Sequence, residues 1–203
     1  MKATRMMVLT AALLVAACGG DSNGGTGPGN GGTPGFSADV TGDLQASFGG
    51  NAGYGVVDQE GGKVFAVEMA ESDQTGGGVI QLYRVGGAVP APGTYQLTDA
   101  IDGNAQDGDW LAMAYDTDQG QLTAIFAARS GSVTITSVKN GIAKGTFSFN
   151  AEGGVLSDPE TTLSVKVSGS FTAEDMTGNA AFGDRAAGAA LRLHGSTEQR
   201  VRH

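Results

Sequence analysis

The sequence predicts an all-β protein: an antiparallel β-sandwich or barrel of about ten strands, preceded by a signal peptide and a disordered, Gly-rich tether. Three observations lead there. Apolar residues recur with a period of two in short runs, as half-buried strands require. Glycine, 35 of 203 residues, punctuates these runs together with Asn and Asp, which suits tight turns. No segment inside the domain carries a convincing helical period.

The chain opens on a different signal. Lys2 and Arg5 give a short cationic start, and Met6 to Val15 is almost entirely apolar. The apolar run up to Ala17 is too short for a spanning helix, which needs about 20 residues. It suits the apolar segment of a secretory signal, typically about 7–15 residues. Val15-Ala16-Ala17-Cys18 closes the run, and Cys18 is the only cysteine. Residues 1–17 are therefore read as a signal peptide, and Cys18 as the residue left at the cut. A lone cysteine excludes an intramolecular disulfide, so the domain must stand on packing alone.

Residues 18–35 hold the cysteine and a polar, Gly-dominated stretch, GGDSNGGTGPGNGGTPG. Such a segment cannot bury enough apolar surface to offset the entropy of ordering it. For about 17 flexible residues the expected reach is roughly 20–25 Å. A phosphate-binding loop is rejected, because no strand precedes it, no Gly-Lys-Ser/Thr ends it and no helix follows.

Residues 36–176 form the expected β-domain. Strands are expected near 37–48, 53–58, 63–71, 78–85 and 94–98. Phe65, Val67 and Met69 alternate with Val64, Ala66 and Glu68, and Leu111, Met113 and Tyr115 alternate with Ala112, Ala114 and Asp116. Leu122, Ala124 and Phe126 follow, then Val133 and Ile135, then Phe147 and Phe149. Thr117 to Gly120, Ser130-Gly131 and Asn140-Gly141 are read as the turns between them, the last being the strongest hairpin signal. Leu111 to Asn150 is thus read as a four-strand meander. One more strand is expected at 161–173. Two strands echo each other in Gly145-Thr146-Phe147 and Gly169-Ser170-Phe171. Glycine inside a strand marks a bulge or a close backbone approach.

Residues 177–203 change character. Arg185, Arg192, Arg200 and Arg202 make the segment basic, and Ala186 to Leu193 is Ala-rich. A helix shorter than about 12–15 residues is marginal alone in water. A disordered or weakly helical tail is expected. The sharper alternative is a tail that docks on its own acidic domain or on anionic lipid.

Losing Lys2 and Arg5 with the signal takes the formal balance from −9 to −11. An acidic domain repels phosphate backbones, so no nucleic-acid partner is expected. The only histidines, His194 and His203, lie in the tail, which removes the commonest general base and most zinc sites. Glu68 and Glu71 are three positions apart on one strand, so they point to opposite faces and do not form a glycosidase pair. No catalytic set, metal site or cofactor is nominated. The best oxygen cluster runs from Asp99 to Asp109. It is read as a solvated acidic connection, with a calcium-binding loop as the alternative. Trp110, the only tryptophan, is read as a core anchor at a strand end, with a sugar-stacking platform as the alternative.

Val15 to Cys18 resembles the bacterial lipobox, in which the cysteine is acylated and becomes the new N-terminus. The whole pattern resembles a family of uncharacterised bacterial lipoproteins with a single all-β, β-sandwich-like domain. The residues that carry it are the lipobox, the Gly-rich tether, Gly93-Thr94-Tyr95, Gly131 to Thr136 and Gly145 to Phe149. The resemblance implies attachment at Cys18 through several acyl chains, palmitate among them. Gly19, rather than Asp, after the cysteine implies the outer membrane of the cell envelope, with the periplasm as the route. The family brings no activity. The expected function is a membrane-anchored envelope lipoprotein with a non-catalytic binding or structural module, whose partner would be a protein or glycan. The alternatives are a calcium-dependent module using Asp99 to Asp109 and an envelope hydrolase with no identifiable catalytic set.

Overall fold

The computed structural model describes residues 33–59, 62–71, 76–101, 105–119 and 121–183. Cys18, the signal peptide, most of the tether and residues 184–203 lie outside them. The described chain forms nine strands: β1 Gly35–Gly42, β2 Ala46–Gln59, β3 Gly62–Glu71, β4 Gly76–Val85, β5 Gly93–Gln96, β6 Trp110–Asp118, β7 Gln121–Lys139, β8 Ile142–Val155 and β9 Leu163–Asp175. Eight of them close an antiparallel barrel in the order β1-β2-β3-β4-β6-β7-β8-β9, with β9 returning to β1. Successive strands of these eight are sheet neighbours, so they form an up-and-down meander closed on itself, which leaves the eight without an open edge. The ninth strand, β5, pairs with β7 above the point where β6 leaves it.

Of the sandwich and the barrel, the chain forms the barrel. Two strand boundaries also differ from the expectation. The segment 37–48 contains a turn, because Gly42 adopts a φ of 114° and Asp43 ties the corner to β9. The Asp43 amide donates to the Ser164 carbonyl at 3.1 Å, and the Ser164 amide donates to Asp43 Oδ2 at 2.8 Å. Ser130-Gly131 makes no turn. It lies inside β7, where Ala128 pairs with Ala151 and Ser130 with Asn150, leaving Arg129 as the extra residue of a β-bulge. Gly131, at φ 145°, sits where a Cβ would lie 2.6 Å from Phe149 Cβ. The expected four-strand meander therefore has three strands. Asn140-Gly141 does turn, with φ of 53° and 73°, as a two-residue hairpin of this type demands.

The bulge also sets the faces of β7. Ala124, Phe126 and Ala128 point inwards below it, and Val133 and Ile135, of opposite parity, point inwards above it. Large and small residues share the interior. Phe36, Phe65, Trp110, Phe126, Phe147, Phe149 and Phe171 fill it between Ala38, Ala52, Ala112, Ala114, Ala143, Ala151 and Ala173. An eight-stranded barrel is just wide enough for side chains to fill it, and here they do.

The echo between β8 and β9 has a packing origin. Gly145 pairs with Phe171, and Phe147 pairs with Gly169. Each ring lies over the glycine of the facing strand, which has no Cβ to obstruct it.

Register places Gly35, the 59–62 and 139–142 hairpins and the long 86–109 connection at one rim. Asp175 reaches the same rim. There β9 passes the start of β1 and pairs directly with β2, Gly53 with Glu174 and Tyr54 with Asp175. The Met176 amide donates to the Tyr54 carbonyl at 2.7 Å. The Thr177 hydroxyl and amide beside Asp175 hold its carboxyl below the ordinary value.

Candidate functional site

Trp110 opens β6 with the parity of Ala112 and Ala114, so its indole enters the barrel and is 1% exposed. It meets Phe65 edge-on at 6.0 Å and Tyr95 at 5.4 Å between ring centroids. The sugar-stacking platform is overturned, and the core anchor is what forms. Arg84 is its direct partner on β4. The Arg84 Nη1 group donates to the Ala88 carbonyl at 2.9 Å. Among the described residues, Arg84 Nε and Trp110 Nε1 are buried without a protein acceptor. Two such donors face one another across a single strand pair at the rim.

The described carboxylates of the Asp99–Asp109 connection do not converge. Asp99 Oδ1 accepts the Ile101 amide and Arg129 Nη1, both at 2.9 Å. Asp109 Oδ2 accepts the Gln106 amide at 2.9 Å. Asp102, Gly103 and Asn104 lie outside the described residues. Among the described residues no group of three or more His, Cys, Asp or Glu comes together. The bulge residue Arg129 also reaches Glu152 through Nε at 3.1 Å. The bulge thus aims one cation at two carboxylates. These groups are a quarter to a half exposed, so each ion pair contributes no more than about 1 kcal/mol. Glu68 and Glu71 are engaged separately, the first by Gln81 and the second by the Gly78 amide at 2.6 Å.

The outside of the barrel has two unlike walls. On β5, β7, β8, β9 and β1, register lines up Thr94, Thr134, Thr146, Ser170 and Ser37 in one row. Gln96, Ser132, Ser148, Ser168 and Asp39 form the next. Thr94 and Thr134 hydroxyls lie 2.9 Å apart. Hydroxyls dominate these two rows, with Gln96 and Asp39 at the ends of the second.

The wall on β2, β3, β4 and β6 is sealed. One row there runs Gly53, Glu68, Gln81, Met113, and the next runs Gly55, Ala66, Tyr83, Leu111. Glu68 and Gln81 are the buried polar residues of the described chain. Gln81 Nε2 donates to Glu68 Oε2 at 3.0 Å, and the Tyr83 hydroxyl donates to Gln81 Oε1. Burial, then the neighbouring Tyr115 and Glu68, push the Tyr83 phenol well above its ordinary value.

The chain after β9 folds back over this wall. Asn179 caps a short helical turn at 180–183, its Oδ1 accepting the Phe182 amide at 3.2 Å. Phe182 is fully buried against Val57, Ala66, Tyr83 and Met113. The glycines of β2 make this contact: a Cβ on Gly53 would lie 2.8 Å from Met176 Cγ, and one on Gly55 3.1 Å from the Phe182 ring. A shallow depression of about 290 Å³ remains beside it, between Val57, Asp58, Met176, Asn179 and Gly183. Sequence reasoning placed 177–183 in the tail and missed this packing. Its traces were the alternate glycines of β2 and the Asn-Ala-Ala-Phe sequence after β9. No family model matches this chain, and neither a curated protein nor a solved structure does.

Proposed function

We propose that this is a membrane-anchored envelope lipoprotein whose barrel is a non-catalytic binding or structural module. The observation that carries the second half is the filled interior. Phe65, Trp110, Phe149 and their neighbours occupy the space in which a ligand-carrying barrel keeps its chamber. Work is then left to the outer walls and rims, where a protein or glycan partner would dock. The cationic start, short apolar run and lipobox-like Val15 to Cys18 support the anchor. Emergence of β1 at a rim, through Gly35, suits a domain carried on a tether.

Replacing Cys18 by Ser tests the anchor. The wild type is expected in the membrane fraction and to take up labelled palmitate. Cys18→Ser is expected to lose the label and to appear in the soluble or uncleaved pool. Unchanged fractionation without label in the wild type would refute the anchor.

A further inference from the structure

Arg84 follows Ile80 and Leu82 on the inner face of β4, at the mouth of the barrel. Register sets it between Phe65 of β3 and Trp110 of β6. The two sides of its guanidinium are used differently. Nη1 donates to the Ala88 carbonyl at 2.9 Å and holds the 86–92 arch. Nε is buried, and no protein acceptor meets it. Nη2 lies near Gly108, where an added Cβ would be 3.9 Å away. The Nε–Nη2 edge of an arginine takes a carboxylate side-on, through two parallel hydrogen bonds. Trp110 Nε1, a donor only, is buried without an acceptor on the directly paired residue. Charge at the mouth is unbalanced as well. Among the described residues the ion pairs engage Lys63 and Arg129, and none engages Arg84. Asp109 accepts the Gln106 amide, and the Asp107 carboxylate lies against Gly86, two residues further along β4's direction. A buried donor without an acceptor and a partly buried cation without an anion both cost free energy.

We propose that the Nε–Nη2 edge of Arg84 and Trp110 Nε1 form a binding site for a carboxylate group at the barrel mouth. A carboxylate is acceptor-only, and its two oxygens have room for three N–H donors. A neutral carbonyl would satisfy the indole and leave the arginine's charge uncompensated. A phosphate brings more negative charge than one arginine offsets, with Asp107 and Asp109 close by in the sequence of the same rim. Barrel mouths are a usual place for small-ligand sites, and this one leaves the filled interior as it is. Arg84 is partly exposed, so a carboxylate reaches it from solvent beside the 86–92 arch. The arch is tied down through Arg84 and through the Tyr95 hydroxyl, which donates to the Ala91 carbonyl at 2.7 Å. A local shift of the arch brings the buried donors into reach. The carboxylate belongs to a free small acid or to an acidic sugar of a glycan. The site rests on the barrel geometry alone, so its failure would leave the anchor reading standing.

Nuclear magnetic resonance on the full chain with the Cys18→Ser change, isotopically labelled in nitrogen, tests this. Trp110 is the only tryptophan, so its indole N–H gives a single side-chain resonance to follow. Sodium acetate is expected to shift that resonance saturably at constant ionic strength, and sodium chloride is not. Arg84→Gln is expected to weaken acetate binding at least tenfold. Arg84→Lys is expected to weaken it nearly as much, because an ammonium has no planar fork. The lysine variant keeps the charge at the mouth and decides the matter if Arg84→Gln does not fold. Polygalacturonate separates the two sources: tighter binding per carboxylate than acetate assigns the group to a glycan, and equal binding assigns it to a free acid. A shift that chloride reproduces, a response that does not saturate, or unchanged affinity in the arginine variants would overturn the site. So would inorganic phosphate binding tenfold more tightly than acetate, which identifies a phosphoryl group as the ligand.

Discussion

Gly169 is a position at which the barrel interior is tightly specified. A Cβ added there would press on the Ser37 carbonyl oxygen, and would lie 2.7 Å from Phe147 Cζ and 3.1 Å from Ala38 Cα. Ordinary carbon contacts are about 3.5–4.0 Å. Neither neighbour can yield cheaply. Ser37 and Ala38 are held in the β1–β9 ladder, and Phe147 is buried among the other rings. Two effects oppose one another in Gly169→Ala. Removing a strand glycine gains roughly 0.5–1 kcal/mol through the unfolded chain. Overpacking costs roughly 1–3 kcal/mol, and a backbone obstacle belongs at the upper end. The clash wins, and a net loss of about 1–2 kcal/mol is expected. For a domain of this size that lowers Tm by roughly 2–8 °C. Urea unfolding followed by the fluorescence of Trp110, the only tryptophan, measures it. Gly93→Ala is the control, since its nearest contacts would be at 3.7–3.8 Å. It should match the wild type or gain up to about 1 kcal/mol. Adding Phe147→Leu to Gly169→Ala should recover only part of the loss, because the Ser37 carbonyl stays in place. A Gly169→Ala protein as stable as the wild type would refute the reciprocal Gly–Phe packing.

Trp110→Ala should cost about 3–5 kcal/mol as a cavity in the core. Trp110→Phe should stay within about 1 kcal/mol of the wild type, because the lost volume is offset by removing a buried donor that costs about 1–3 kcal/mol; equal losses for the two variants in urea unfolding, read by circular dichroism, would contradict this. Tyr83 has a folded-state pKa above its ordinary value of 10.0. Above about pH 10 the unfolded chain therefore releases its proton first, and stability falls as pH rises. Tyr83→Phe removes that contribution, so its stability should decline less steeply between about pH 9 and 11. Parallel curves from urea titrations over that range would show that Tyr83 is not the group responsible.

Much of the barrel was legible along the chain. Alternation in Phe65-Val67-Met69 and Val165-Val167 marks strands because a pleated strand points successive side chains to opposite faces. Asn140-Gly141 marks a hairpin because both residues tolerate positive φ. Ser130-Gly131 carries the same local chemistry, yet it forms a bulge. A positive φ at glycine is compatible with either, and pairing with β8 makes the choice. On β6 the larger apolar set, Leu111, Met113 and Tyr115, faces outwards, while Trp110 and two alanines face inwards. Period two establishes that the faces differ and carries no label for the inner one.

By itself, then, the sequence determined the all-β class, most strand positions, much of the turn chemistry and the lack of an intramolecular disulfide. These are local properties, written in side-chain period, in glycine and asparagine, and in a single cysteine. Only the tertiary structure decided that the sheet closes as β9 meets β1 and that Phe182 lands on the bare backbone of Gly53 and Gly55. Each of those depends on which distant segments become neighbours, and the alternate glycines of β2 and the Asn-Ala-Ala-Phe run mark the two surfaces without saying that they meet.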